Sequence, residues 1–219
     1  MRKLVVNTFT TLDGVMQAPG PEEDPTGGFE HGGWSAGYWD EAMGQWMGEF
    51  MGKTFELLLG RKTYEIFAAH WPQAREEPAE QLNAAKKYVA SRTLSSLEWE
   101  NSELLEGDVA YATARLKEED GPELQVHGSS NLIQTLLQHN LIDEFRVWIF
   151  PVVLGSGKRL FAEGTLPAGL ALVDSRTSTT GVVFLTFTPA GAPRYGSFAL
   201  EEPAEAELDE APAGRTGHR

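Results

Sequence analysis

The chain has 219 residues, 41% of them apolar and 23% charged, which suits one domain with a substantial core. It contains no cysteine, and this excludes disulfide scaffolds, thiolate metal sites and cysteine nucleophiles. A formal charge of −14 argues against nucleic acid and anionic membrane surfaces as partners, so any anionic ligand must be held by locally placed donors.

Arg2 and Lys3 precede an alternating stretch, not a long apolar run with a cleavage site, and no window of 18 apolar residues follows. A soluble, cytoplasmic protein without a secretory signal or membrane anchor is expected. Residues 3–10 alternate and are rich in Val, Phe and Thr, which predicts a strand ending at the turn Leu12-Asp13-Gly14. Residues 18–37 hold six glycines and three prolines with no hydrophobic period, a long loop readable either as a lid or as a simple insertion. Trp39, Met43, Trp46 and Phe50 then recur at helical spacing and predict an amphipathic helix. On it Gly44, Gly48 and Gly52 fall four apart, the pattern of close helix packing.

A short buried strand over residues 55–59 runs through Gly60-Arg61-Lys62-Thr63 into a helix that reaches about residue 69. Residues 79–85 read as helical, 87–91 as a strand, and 109–119 as a helix behind the N-cap Asp108. A strand over 124–127 meets Gly128-Ser129-Ser130, after which Leu132, Ile133, Leu136, Leu137 and Leu141 form an apolar helical face. Residues 145–150 give another strand, and 170–177 with 182–188 form a hairpin through Thr180-Gly181. The fold class is α/β, a three-layer sandwich with a mostly parallel central sheet and a C-terminal antiparallel hairpin. The domain covers residues 1–197. Residues 198–219, with six acidic against two basic side chains and little apolar surface, are expected to form a disordered acidic tail.

In open α/β sheets, ligands lie beyond the carboxyl ends of the strands, where helix N-termini offer unpaired N–H groups. Gly60, Arg61 and Thr63 form one such donor set, Gly128, Ser129 and Ser130 a second, and Ser91 with Arg92 a third. Each has a plain structural alternative: a turn, a solvated charge, an ordinary N-cap. Three at one end of one sheet point to a ligand with several phosphates, a dinucleotide. The Rossmann fingerprint is missing, since Gly155-Ser156-Gly157-Lys158-Arg159 lacks the third glycine and the following helix. No P-loop or nucleophile elbow occurs, and His31, His70, His127, His139 and His218 match no metal-ligand spacing.

Leu12-Asp13-Gly14, Leu59-Gly60-Arg61-Lys62-Thr63-Tyr64-Glu65, Ser91-Arg92-Thr93-Leu94, Val126-His127-Gly128-Ser129-Ser130-Asn131-Leu132, Leu141-Ile142-Asp143-Glu144 and Pro151-Val152-Val153-Leu154-Gly155-Ser156-Gly157-Lys158-Arg159-Leu160-Phe161 occur in that order. This series resembles the dihydrofolate reductase-like superfamily, and within it the C-terminal reductase domain of the bifunctional riboflavin-biosynthesis deaminase-reductase, over roughly residues 3–189. The resemblance implies an NADPH-dependent oxidoreductase that forms a homodimer through the C-terminal part of the sheet. It assigns Gly60, Arg61 and Thr63 to the adenosine side of the cofactor, Ser91 and Arg92 to the 2′-phosphate, and Gly128, Ser129, Ser130 and Asn131 to the pyrophosphate. His127-Gly128-Ser129-Ser130 stands where the family often has a glycine pair or triplet.

Dihydrofolate reductases place a carboxylate on the first helix; here Asp40, Glu41 and Glu49 share that helix and spacing does not choose among them. Asp40 is taken as the candidate proton donor, against the alternative of a solvated helix face. Asp13 is the candidate for orienting substrate, against the alternative of a turn residue. Trp34, Tyr38 and Trp39 are placed to stack on a flat heterocycle or to pack the loop. The expected activity is reduction of a small heterocycle, as in the 5-amino-6-(5-phosphoribosylamino)uracil reductases. The alternatives are dihydrofolate reduction and a non-catalytic nucleotide-binding scaffold of the same fold.

Overall fold

Strand β1 (Leu4–Thr11) is buried at seven of its eight positions, which a strand achieves only with neighbours on both edges and layers on both faces. In the computed structural model, which describes residues 1–20, 28–75 and 78–198, it lies near the middle of one sheet. The others are β2 (Phe55–Gly60), β3 (Lys87–Ala90), β4 (Ser102–Leu104), β5 (Glu123–His127), β6 (Glu144–Phe150), β7 (Leu170–Thr177) and β8 (Val183–Pro189). Their order across the sheet is β4-β3-β2-β5-β1-β6-β8-β7. The first six run parallel, and β8 and β7 form the antiparallel edge. Strand β4 is the one strand the sequence pattern does not announce, because three residues are too few to show a period.

Among the described residues five α-helices complete the layers: α1 (Glu41–Met51), α2 (Arg61–His70), α3 (Ala79–Ala84), α4 (Val109–Glu118) and α5 (Ser130–Gln138). Alternation along the strands divides the core. Leu4, Val6, Leu58, Leu124, Val126, Phe145 and Val147 face Leu116 of α4 and Leu132, Ile133 and Leu136 of α5. From the opposite face, Phe55, Leu57 and Leu59 meet Met51, Tyr64, Leu82 and Trp99. Beside them, Met43 of α1 packs on Trp148, Phe150, Val182 and Phe184, an aromatic cluster joined by Phe9, Trp46 and Phe50.

Local chemistry sets the element ends. Asp108 accepts from Tyr111 N (2.9 Å) to start α4, and Asn140, at φ 52°, closes the turn after α5. On α1 the expected close packing of Gly44 and Gly48 does not occur: a Cβ at either would meet nothing within 4 Å, so both face solvent. The hairpin expected through Thr180-Gly181 is present, with Gly181 at φ +86°. The acidic tail beyond residue 198 and loop residues 21–27 lie outside the described residues. The flanks of that loop are tied down: Ser35 Oγ donates to Pro19 O (2.7 Å) and Trp34 Nε1 to Gln17 O (2.7 Å). Among the described residues no helix is long and apolar enough to cross a membrane.

The connections leaving neighbouring strands part at the β2–β5 boundary. From β2 the chain proceeds to β3 on one side, whereas from β5 it crosses β1 to reach β6 on the other. The two connections diverge at the β2–β5 boundary, the position where open α/β sheets form a ligand crevice at their carboxyl ends.

Candidate active site

Gly60 ends β2 and caps α2, and the turn Gly128-Ser129 joins β5 to α5, so these two turns flank the crevice. They are bonded to each other. Gly60 N donates to Ser129 Oγ (3.0 Å), Ser129 N donates to Thr63 Oγ1 (3.0 Å), and Ser129 Oγ donates to His127 O (3.2 Å). The turns touch closely enough that a Cβ at Gly128 would lie 3.3 Å from Thr63 Oγ1. The Ser129 hydroxyl is thus consumed in joining the turns, a different use from the free donor the sequence suggests. Thr63 keeps its hydroxyl proton for another acceptor.

Ser129 takes left-handed backbone angles (φ 57°, ψ 47°), a conformation that costs a non-glycine residue about 1 kcal/mol or more, and its side chain caps nothing. The first-turn amides of α5, from Ser130 and Asn131 onward, therefore lack a side-chain acceptor, the situation that suits an anion. Facing them, Gly157, Lys158 and Arg159 complete a cleft of about 240 Å³ with Ser130, Asn131 and Gln134. The Gly155–Arg159 stretch does not fit the Rossmann motif and stands in the series that resembles the reductase domain. Its contribution comes through tertiary placement, which no local spacing reveals.

The third donor set shares the same rim. Gly60 pairs with Ala90, so Arg61 and the Ser91-Arg92 turn emerge side by side. Ser91 Oγ accepts from Thr93 N (3.2 Å) and Leu94 N (3.0 Å), which shapes the turn and leaves Arg92 exposed. Among the described residues Arg61 makes one loose pair, with Glu65 (3.7 Å) on its own helix, and its side chain is 44% exposed.

The two carboxylates singled out from the sequence, Asp40 for the proton and Asp13 for orienting substrate, are each held by several hydrogen-bond donors. Asp40 is the N-cap of α1, accepting from Met43 N (2.9 Å), and it also accepts from Thr179 N (2.8 Å) and Thr179 Oγ1 (2.7 Å) at the β7–β8 turn. The Thr179 hydroxyl and the Met43 amide hold its pKa below the usual carboxylate value. Asp13 accepts from Thr11 Oγ1 (2.5 Å), Gly155 N (2.9 Å) and Leu154 N (3.3 Å), and pairs with Arg159. The Thr11 hydroxyl and those amides pull its pKa down to about 2. Asp13 therefore pins the Leu154–Arg159 loop to the end of β1, and Asp40 fastens α1 to the hairpin. Glu49, the other helix carboxylate near this edge, is paired with Arg176 (2.7 Å).

Under α1 the central strands carry polar side chains that composition does not flag. Glu123, Gln125 and His127 lie on one face of β5, Asn7 on β1 is the register partner of His127, and Arg146 on β6 partners Asn7. Burial pushes the His127 ring down to about 4, reinforced by the Arg146 charge and opposed by Glu123. Trp39, Phe9 and Trp148 close the aromatic side of the same region, with ring centroids 5.7–6.3 Å apart.

Comparison with known proteins agrees with this architecture. Residues 2–184 match the family of the RibD C-terminal domain. An uncharacterized protein of Bacillus subtilis (strain 168), YyaP, is 28% identical over 191 residues, covering 85% of this chain and 94% of that one. The diaminohydroxyphosphoribosylaminopyrimidine deaminase/5-amino-6-(5-phosphoribosylamino)uracil reductase of Thermotoga maritima superposes with a TM-score of 0.57 at 16% identity, over 86% of this chain and 57% of that chain. Dihydrofolate reductase from Enterococcus faecalis, solved with NADP(H), gives 0.54 at 14% identity over 86% and 96%. The fold is dihydrofolate reductase-like.

Proposed function

The chain belongs to the RibD C-terminal domain family, and on that premise we propose that it is an NADPH-dependent reductase of a small heterocycle related to ribosylamino-uracil. The observation that carries this reading is the pair of bonded strand-to-helix turns at the β2–β5 boundary, opening on an uncapped α5 N-terminus. The donor set suits a dinucleotide. First-turn amides of α5 with Ser130, Asn131 and Lys158 hold the pyrophosphate, and Gly60 and Gly128, which carry no Cβ, let the two turns pack against each other. Arg61, Thr63 and Arg92 hold the phosphate that distinguishes NADPH from NADH.

NADPH supplies the hydride; the protein's share is to orient the acceptor and exclude water from its face. Asp13 does this at a distance, by fixing the loop that bears Lys158. With Asp13 and Asp40 both held ionised, the accompanying proton comes from solvent at the open rim. A homodimer is proposed through β7, the edge strand, where Leu170, Leu172 and Val173 are 37%, 56% and 62% exposed, more apolar surface than an unpaired edge usually carries.

Thermal melts with and without NADPH test the cofactor. At a hundredfold excess over Kd the folded state gains about 2.7 kcal/mol, and a midpoint that stays fixed at millimolar NADPH rejects the proposal. Arg61→Ala should weaken NADPH about tenfold more than NADH; equal losses would remove Arg61 from the phosphate site.

A further inference from the structure

The polar strip under α1 has a fixed direction, and the direction can be read from its hydrogen bonds. Arg146 donates from Nη1 and Nη2 to both oxygens of Glu123 (2.8 and 3.1 Å) and from Nε to Glu144 (2.7 Å). This holds Glu123 as a carboxylate: burial opposes ionisation, but the Arg146 bonds and charge outweigh it. A carboxylate can only accept, so the contact of Gln125 with Glu123 Oε1 (2.6 Å) is made by the Gln125 amide nitrogen. Gln125 then presents its oxygen to His127 Nε2 at 2.8 Å. An amide oxygen also only accepts, so Nε2 must carry the ring proton. In the neutral ring Nδ1 is left as a bare acceptor.

Beside it, on the adjoining strand and the same face, stands Asn7, which is 3% exposed. Its Oδ1 accepts from Trp148 Nε1 (3.2 Å), which fixes the amide so that Nδ2 is the free end, and among the described residues Nδ2 has no hydrogen-bond partner. A buried amide donor left unmade costs roughly 1–3 kcal/mol, so its persistence beside the bare His127 nitrogen, where β5 ends, calls for a ligand. Neighbouring strands are about 4.8 Å apart, close enough for two such side chains to converge on adjacent atoms of one small ring.

We propose that Asn7 and His127 read the lactam edge of the acceptor heterocycle, Asn7 Nδ2 donating to a ring carbonyl and His127 Nδ1 accepting from the neighbouring ring N–H, with Arg146, Glu123 and Gln125 as positioning residues that set this order. The inference rests on the reductase reading of the crevice and specifies what its substrate presents. A neutral ring with N–H beside C=O fits. The same ring alkylated at that nitrogen, or ionised there, loses one bond and leaves a buried group unpaired.

The experiment needs no altered protein at first. The full chain, saturated with NADPH, is titrated calorimetrically with 5,6-diaminouracil and with its 1,3-dimethyl derivative, which keeps the carbonyls but has no ring N–H. The parent should bind at least about tenfold more tightly, since a site built to hydrogen-bond an N–H rejects the analogue lacking it. In ¹⁵N-histidine spectra, assigned with His127→Gln, the His127 ring should be Nε2-protonated, and its Nδ1 signal should move with the parent compound and not with the dimethyl derivative. Gln125→Leu should release the tautomer and erase the preference while leaving the NADPH Kd within about twofold. Equal affinity for the two ligands, no binding of the parent, or an Nδ1-protonated ring each overturns the proposal. NADPH binding is measured separately: its absence defeats the reductase reading, and the same titrations on the protein alone then decide the Asn7–His127 pair.

Discussion

The bonds between the two phosphate-side turns can be cut one at a time. Thr63→Val keeps the shape of the side chain and removes the acceptor for Ser129 N; Ser129→Ala removes the acceptor for Gly60 N and the donor to His127 O. A net hydrogen bond is worth about 0.5–1.5 kcal/mol, and an amide stranded in a half-buried turn costs toward the upper end, so each variant should lose about 1–2 kcal/mol. For a domain of this size that is about 2–4 °C of melting temperature per kcal/mol. Because both bonds join the same two turns, the double variant should lose less than the sum, by about 0.5–1 kcal/mol. Ser129→Gly supplies the control: it lacks the same hydroxyl but adopts the left-handed angles freely, and should be about 1 kcal/mol more stable than Ser129→Ala. Urea titrations give the stabilities, and NADPH titrations of the same variants should show affinity falling several-fold in parallel. Strictly additive losses, or either single variant within about 0.3 kcal/mol of the parent protein, would refute a joined platform.

Other expectations follow from the same contacts. Asp40→Ala should lower the melting midpoint by uncapping α1 and freeing Thr179, yet leave turnover within about twofold; a collapse of kcat with stability unchanged would return Asp40 to catalysis. His127 has a folded pKa of about 4 against 6.5 unfolded, so its contribution is complete above pH 6.5 and is lost as pH falls toward 4. The loss is roughly 3 kcal/mol, because only the unfolded chain takes up the proton in that window. Stability curves of the parent and of His127→Gln should diverge across that range, and parallel curves would contradict the buried neutral ring. Leu172→Arg should convert a dimer to monomers in sedimentation, while an unaltered sedimentation profile would move the interface away from β7.

Much of the fold could be read from periodicity. The Leu132, Ile133, Leu136 face of α5 and the β-branched hairpin are long, regular signals, and their spacing matches the core they enter. The rim was legible for a related reason, since glycine followed by a helix marks an anion-competent turn wherever it occurs. What escaped were features that exist only across strands. Lys158 reaches the crevice because Asp13 pins its loop, 142 residues after the anchor in the chain as measured by the Asp13–Gly155 bond. Asn7 and His127 become neighbours through parallel pairing of strands separated by most of the domain. The carboxylates show the same limit: Asp40 and Asp13 have residue types suited to an acid and to a substrate anchor, but the partners that hold them, Thr179 and Gly155, are connected to them by no local pattern.

The outward glycines of α1 have a cost that nothing beneath them recovers. Gly44 and Gly48 each forgo about 1 kcal/mol of helical preference relative to alanine, and neither touches a neighbour in return. That helix covers Trp148, Phe150 and the Asn7 amide bonded to Trp148 with two adaptable methionines, Met43 and Met47, on its underside. Its place over the sheet is therefore kept by the Asp40 and Glu49 ties to the hairpin and by its buried underside more than by its own helical preference.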